Sequence, residues 1–167
     1  EAVPTGKGAM LAVLGLKTEE ILEQINSITI NGTCEIANDN CPGQLVISGD
    51  KDSIYKLHGY LKKKSIRGVI LPVSAPFHCS LMENAKKKMS QKITETIFKD
   101  PRPSVVFNVT AKNEKKINII KELLIKQITS RVRWRESVEY MIKNSVSEFI
   151  EIGPGKVLSG LVKRINK

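Results

Sequence analysis

Between residues 8 and 71 short apolar runs alternate with helical repeats, and this order restricts the architecture more than any other feature of the chain. Gly8 to Leu16 holds the run Met10-Leu11-Ala12-Val13-Leu14 between glycines, which suits a buried strand. Thr18 reads as a helix N-cap, with Glu19 and Glu20 placed for the helix dipole and Ile21, Leu22 and Ile25 as the apolar stripe. Cys34 to Asn38 and Gln44 to Ser48 read as two strands joined through Asn40-Cys41-Pro42-Gly43. Asp50 is placed to cap a second helix with Ile54, Leu57 and Leu61 on one face, and Ile66 to Leu71 reads as a closing strand. The order β-α-β-β-α-β is that of a ferredoxin-like subdomain.

From Pro72 the rhythm changes. Met82, Ala85, Met89, Ile93 and Ile97 fall mostly at helical spacing, with Lys86-Lys87-Lys88 among the solvent-facing positions. Pro101 and Pro103 end that helix, and Val105-Val106-Phe107 reads as a strand. Helices are expected over Ile117 to Ile128, Trp134 to Lys143 and Lys156 to about Ile165, and a second strand over Phe149 to Ile152. Two isolated strands do not make a stable sheet, so this part calls for partners outside the chain.

Composition narrows the function classes. Hydrophobic residues are 41% and charged residues 26% of 167, and no apolar run approaches the roughly 20 residues that cross a bilayer. Lys and Arg total 27 against 17 acids, for a net charge of +10, which favours an acidic or phosphorylated partner. The lysines are scattered over helical faces with one Trp and three Tyr available for stacking, which argues against nucleic acid. Cys34, Cys41 and Cys79 cannot all pair, so a reducing compartment is the default. The first residue is Glu1 with no leader pattern after it, and the chain reads as a piece of something longer.

Only His58 and His78 are present. His58 lies on a lysine-rich helix and reads as a surface or half-buried residue. His78 follows a strand and precedes a helix, where a general base is often displayed, and the residues alone leave base and core histidine both open. Cys34 and Cys41 lack zinc-ligand spacing, and the adjacent His78-Cys79 is poorly disposed as a base and nucleophile. Gly153-Pro154-Gly155 is either an anion-binding turn or a tight connection. No Gly-x-Ser-x-Gly elbow, Walker loop or Rossmann fingerprint occurs.

Taken in order, Glu1-Ala2-Val3-Pro4, Gly8-Ala9-Met10, Asn38 to Gln44, Val73 to Met82, Trp134 with Ser137 to Met141, Glu151 to Leu161 and Lys163-Arg164 resemble the C-terminal part of malonyl-CoA:acyl carrier protein transacylases. The resemblance implies a ferredoxin-like subdomain at residues 8–71, followed at 72–167 by the C-terminal part of an α/β-hydrolase-like acyltransferase core, with 1–7 a connector from the rest of that core. It implies ping-pong transfer of malonyl from malonyl-CoA to a serine and then to the phosphopantetheine thiol of an acidic carrier protein in type II fatty-acid synthesis. The serine elbow, the arginine for the malonyl carboxylate and the oxyanion-hole donors would lie upstream. By resemblance His78 is the catalytic base and Gln127 offers the carbonyl that holds its ring. Asn38, Asn40 and Gln44 face the pantetheine arm, although turn chemistry beside Pro42-Gly43 also accounts for them. Phe77 matches malonyl-selective enzymes, and Arg67, Lys163 and Arg164 lie where the carrier protein docks.

No cofactor or metal is expected beyond the substrate and the partner's phosphopantetheine, and no membrane or nucleic-acid partner; the sequence does not give the oligomeric state, with a monomer the expectation for the full-length enzyme. A bacterial cytoplasm, a plastid or a mitochondrion all fit. An acyltransferase domain excised from a polyketide or multifunctional fatty-acid synthase is a related alternative, disfavoured by the ending soon after Lys163-Arg164. A basic non-catalytic module binding an acidic protein is the alternative outside enzymes.

Overall fold

Glycine-bounded β1 (Gly8–Leu14) runs between two neighbours in an antiparallel sheet ordered β2-β3-β1-β4, made with β2 (Cys34–Cys41), β3 (Gln44–Asp50) and β4 (Gly68–Ile70). A computed structural model of the chain describes residues 3–4, 6–73 and 75–166. Part of the 1–7 connector, and Ser74, therefore lie outside the described residues.

Alternation sorts the strand residues. Leu11, Val13, Leu45 and Ile47 are fully buried against Ile21 of α1 (Thr18–Asn26) and Ile54, Leu57 and Leu61 of α2 (Lys51–Lys63). Each such aliphatic contributes about 1.5–3 kcal/mol of apolar burial. Met10, Ala37 and Val46 face the other way, with Leu71 against them. The β2–β3 turn shortens to Pro42-Gly43, where Gly43 takes φ +72°.

Three local readings change. Lys17, not Thr18, is the residue before α1, and its N–H donates to Glu20 at 2.6 Å. Asp50 precedes α2, but its carboxylate accepts the N–H of Thr33 and so ties a loop across the sheet instead of capping. Leu22 is exposed, because a helix lying on a sheet buries a narrower stripe than the one drawn.

The second part carries α3 (Glu83–Glu95), β5 (Val105–Phe107), β6 (Lys112–Glu114), α4 (Ile117–Gln127), α5 (Trp134–Lys143) and α6 (Val157–Ile165). β6 has no apolar signal in the sequence and forms by pairing with β5 as a small hairpin. Phe149 to Ile152 is not a strand. Ile150 and Ile152 are 76% and 95% exposed, and Ile97 beyond α3 is 91% exposed. Apolar residues with strand spacing stay unpaired when no described edge is there to receive them. No described helix is long and apolar enough to cross a membrane.

Candidate functional site around His78

The loop after β4 is pressed onto the sheet. A β-carbon at Gly8 would come within 2.4 Å of the Pro76 ring, so only glycine lets the loop approach there. Cys79 is buried with its thiol donating to the Pro76 carbonyl at 3.1 Å. The Ser80 N–H donates at 3.2 Å to Glu35 on β2, and the Ser80 hydroxyl donates to the same carboxylate. Between these anchors His78 is held at φ +59°, a left-handed conformation that costs a non-glycine residue about 1–2 kcal/mol. Strain of this kind persists where the surroundings overdetermine it.

His78 Nδ1 lies 3.0 Å from the carbonyl oxygen of Gln127 at the end of α4. A carbonyl has no proton to give, so Nδ1–H is the donor and the neutral ring carries its lone pair on Nε2. Nε2 has no hydrogen-bond partner among the described residues. In that neutral tautomer the nitrogen facing away from Gln127 is an acceptor.

The loop that starts at Gln127 also reaches β2. Gln127 Nε2 donates to the Ser130 carbonyl at 2.8 Å, Val132 N–H to Ala37 at 2.7 Å, and Asp39 N–H to Val132 at 2.9 Å. One short segment thus fixes the imidazole at its start and the strand carrying Asn38 and Asn40 at its end. Asn38 and Asn40 are half-buried, while Ala37, Asp39 and Cys41 between and beside them are buried.

The other candidate residues gather elsewhere. Gln44 Oε1 accepts from Arg164 Nη1 at 2.7 Å. Leu14 pairs with Gln44 and donates its N–H to the Arg67 carbonyl at 2.9 Å, so Arg67, Gln44 and Arg164 share one end of the sheet. Lys163 is exposed on α6. Phe77, 42% exposed, stands next to His78 in the chain. The structure joins His78 to Gln127 and Gln44 to Arg164; no hydrogen bond joins the two groups among the described residues.

Sequence reasoning missed the ion pairs that brace this region. Asp39, 1% exposed, accepts from Arg135 Nε at 3.1 and 3.2 Å and from Nη2 at 2.8 Å, while Arg135 Nη1 reaches Glu139 at 3.0 and 3.1 Å. Removing one partner of such a buried pair strands a charge and costs about 3–5 kcal/mol. Arg133 pairs with Glu136 and donates to the Thr110 carbonyl at 3.3 Å. The Arg135–Glu139 spacing was visible in sequence; Asp39, ninety-six positions away, was not.

Two alternatives can be resolved by chemistry. Burial pushes the Cys79 thiol above its ordinary value and the Cys34 thiol up to about 12, so neither is poised as a thiolate. The anion at the α6 N-terminus is internal: Glu151 accepts from Leu158 N–H at 3.1 Å, Ser159 N–H at 2.9 Å and Ser159 Oγ at 2.6 Å. Gly153-Pro154-Gly155 is thus a connection, with Gly155 at φ +87°. No cluster of metal-binding side chains exists among the described residues.

The Ser159 hydroxyl, followed by the Ser159 and Leu158 N–H groups, holds the Glu151 carboxyl below its ordinary value. A lowered folded-state value means its stabilisation is present above the unfolded value and is lost as pH falls through the folded one. Glu136, lowered chiefly by its hydrogen bond from Arg133, acts in the same window. Glu151→Gln is therefore expected to lower Tm at neutral pH and to flatten its acid decline. A Tm–pH curve parallel to wild type would contradict this.

No protein-family model matches the chain. It is 43% identical over 169 aligned residues to the malonyl CoA-acyl carrier protein transacylase of Bacillus subtilis, an alignment that covers 100% of this chain and 53% of that relative. The malonyl CoA-acyl carrier protein transacylase structure from Coxiella burnetii superposes with a TM-score of 0.95 at 35% identity, over 99% of this chain and 53% of that one. A malonyl-transacylase solved in complex with a type II polyketide-synthase acyl-carrier protein gives 0.93 at 37% identity, over 99% and 54%. The chain spans about half the length of the curated relatives it matches.

Proposed function

Because this chain is homologous along its whole length to the C-terminal part of malonyl CoA-acyl carrier protein transacylases, we propose that it supplies the base and one wall of the cleft in such an acyltransferase. Its mixed α/β fold is that of the solved transacylases. The four-stranded antiparallel unit reads as the ferredoxin-like subdomain over residues 8–71. Residues 72–167 read as the end of an α/β-hydrolase-like core, with 1–7 connecting from it. The exposed Ile150 and Ile152 support this reading, since they need a neighbouring strand to cover them.

One observation carries the function: the Gln127 carbonyl binds Nδ1–H and leaves the Nε2 lone pair of His78 open. In the proposed mechanism Nε2 takes the hydroxyl proton of a serine on the remainder of the enzyme as that oxygen attacks the malonyl thioester carbonyl. The imidazolium then returns the proton to the departing CoA sulfur. In the second half the same nitrogen takes the proton of the carrier's phosphopantetheine thiol as its sulfur attacks the serine ester, and the imidazolium returns that proton to the departing serine oxygen. A neutral carbonyl fixes the tautomer but stabilises the imidazolium less than a carboxylate would. Asn38, Asn40 and Gln44 carry amides that pair with the amides of the pantetheine arm. Phe77 beside the base crowds an α-branched acyl group. The decisive experiment is intact-mass spectrometry of the full-length protein with malonyl-CoA. A malonyl ester on an upstream serine, discharged by carrier protein, is expected; its absence would sink the reading.

Arg67 and Lys163, with the guanidinium nitrogens of Arg164 that Gln44 does not engage, form the proposed rim for an acidic carrier protein. Arg67→Glu in the full-length protein is expected to lower kcat/KM for the carrier roughly three- to tenfold, mainly through the association rate. Salt should shrink the difference, since rim charges are screened over about 8 Å at physiological ionic strength. Transfer to a short pantetheine thiol should be unchanged. Arg164→Glu is expected to impair both acceptors, because it also removes the contact to Gln44. Equal loss for both acceptors in Arg67→Glu would end the docking role of that residue.

A further inference from the structure

We propose that Arg135 is a positioning residue: from α5 it clamps Asp39 on the back of the β2–β3 hairpin and so sets where Asn38 and Asn40 present their amides. The inference rests on the reading that these amides face the pantetheine arm.

Asn38 pairs with Val46 and Asp39 with the adjacent Leu45, so these two side chains leave opposite faces of the sheet, and Asn40 is half-buried like Asn38. The β2–β3 register shifts both between Ile36 and Asn38 and between Asp39 and Cys41. Irregularities on each side mean the ladder alone does not dictate where Asn38 and Asp39 sit. Both Asp39 carboxylate oxygens accept from the Arg135 guanidinium, at 2.8 to 3.2 Å. Glu139, one turn along α5, holds the remaining Nη1 and locks the guanidinium plane. Behind the hairpin lies a cleft of about 300 Å³ lined by Asp39, Cys41, Leu45, Arg135, Glu139 and the start of α1. Packing therefore leaves the hairpin room to retreat, and the ion pair spans that open side. The clamp joins the sheet unit to the helix that follows the 127–133 loop, the loop whose first carbonyl holds His78. Arm and base are thus registered to each other through one connected support.

The test uses the full-length protein and two acyl donors, malonyl-pantetheine and malonyl-N-acetylcysteamine, the second of which lacks most of the arm. Arg135→Met strands a buried carboxylate, so it is paired with the double variant Asp39→Asn/Arg135→Met, which removes clamp and charge together. Both are expected to raise KM for malonyl-pantetheine about tenfold with kcat changed less than about threefold, the pattern of lost ground-state binding. KM for malonyl-N-acetylcysteamine should stay at the wild-type value, and Arg135→Lys should recover part of the loss. A brace that only supports the fold would lower Tm and active-site concentration and leave the KM ratio between the donors unchanged; that result overturns the proposal. A wild type that forms no malonyl-enzyme overturns the function and the clamp together. A wild type that does, with unaltered KM in the variants, overturns the clamp alone.

Discussion

Replacing His78 by alanine in the full-length protein is expected to slow serine acylation by about 10²–10⁴-fold, the usual worth of a positioned general base. Binding of malonyl-CoA should change far less, because a general base acts mainly in the transition state. Stopped-flow acylation beside a binding measurement separates the two. The backbone supplies a second control. At φ +59° alanine inherits the strain that histidine bears, whereas glycine does not. His78→Gly should therefore lose as much rate as His78→Ala with a melting temperature at least as high. A glycine variant that unfolds would show that the ring is needed for packing, and the bland reading of a core histidine would prevail. His58→Ala, at a half-buried position of α2 away from the Gln127 contact, should be nearly silent.

Purified as these 167 residues, the chain is expected to form no stoichiometric malonyl adduct with malonyl-CoA. The described nucleophiles near His78 are otherwise occupied: the Cys79 thiol is buried, raised in pKa by desolvation and bonded to Pro76, and the Ser80 hydroxyl is held by Glu35. Adding the complementary N-terminal part of the Bacillus subtilis relative should restore an adduct on that added part. Intact-mass spectrometry reads both outcomes. A hydroxylamine-labile adduct on Cys79, Ser80 or Ser74 of the isolated chain would overturn the assignment of the nucleophile to an upstream serine.

Much of the first unit was legible because its signals are local. Glycine-bounded runs and 3.6-residue spacing involve residues a few positions apart, and the observed order β1-α1-β2-β3-α2-β4 follows them. The failures came where local preference met an absent or distant partner. Phe149 to Ile152 has strand composition and no described edge to pair with, whereas Lys112 to Glu114 has no such composition and pairs because β5 lies beside it. Thr18 and Asp50 have the right chemistry for caps, yet Asp50 is drawn to Thr33 across the sheet.

The sequence by itself determined the strands of the sheet, the faces of the first two helices, the strand-to-helix junction that displays His78, and the motifs shared with the transacylases. Only the tertiary structure decided which nitrogen of His78 is engaged by Gln127, that its backbone is strained, that Gln44 is engaged by Arg164, and that Asp39 is a buried anchor for Arg135. The reason is distance along the chain: those partners stand 49, 120 and 96 residues apart. Periodicity reports on the face a residue occupies within its own element. Which group it meets across the molecule is set by how the elements pack, and there a hydrogen bond or a buried charge pair forms only when the whole fold brings both ends together.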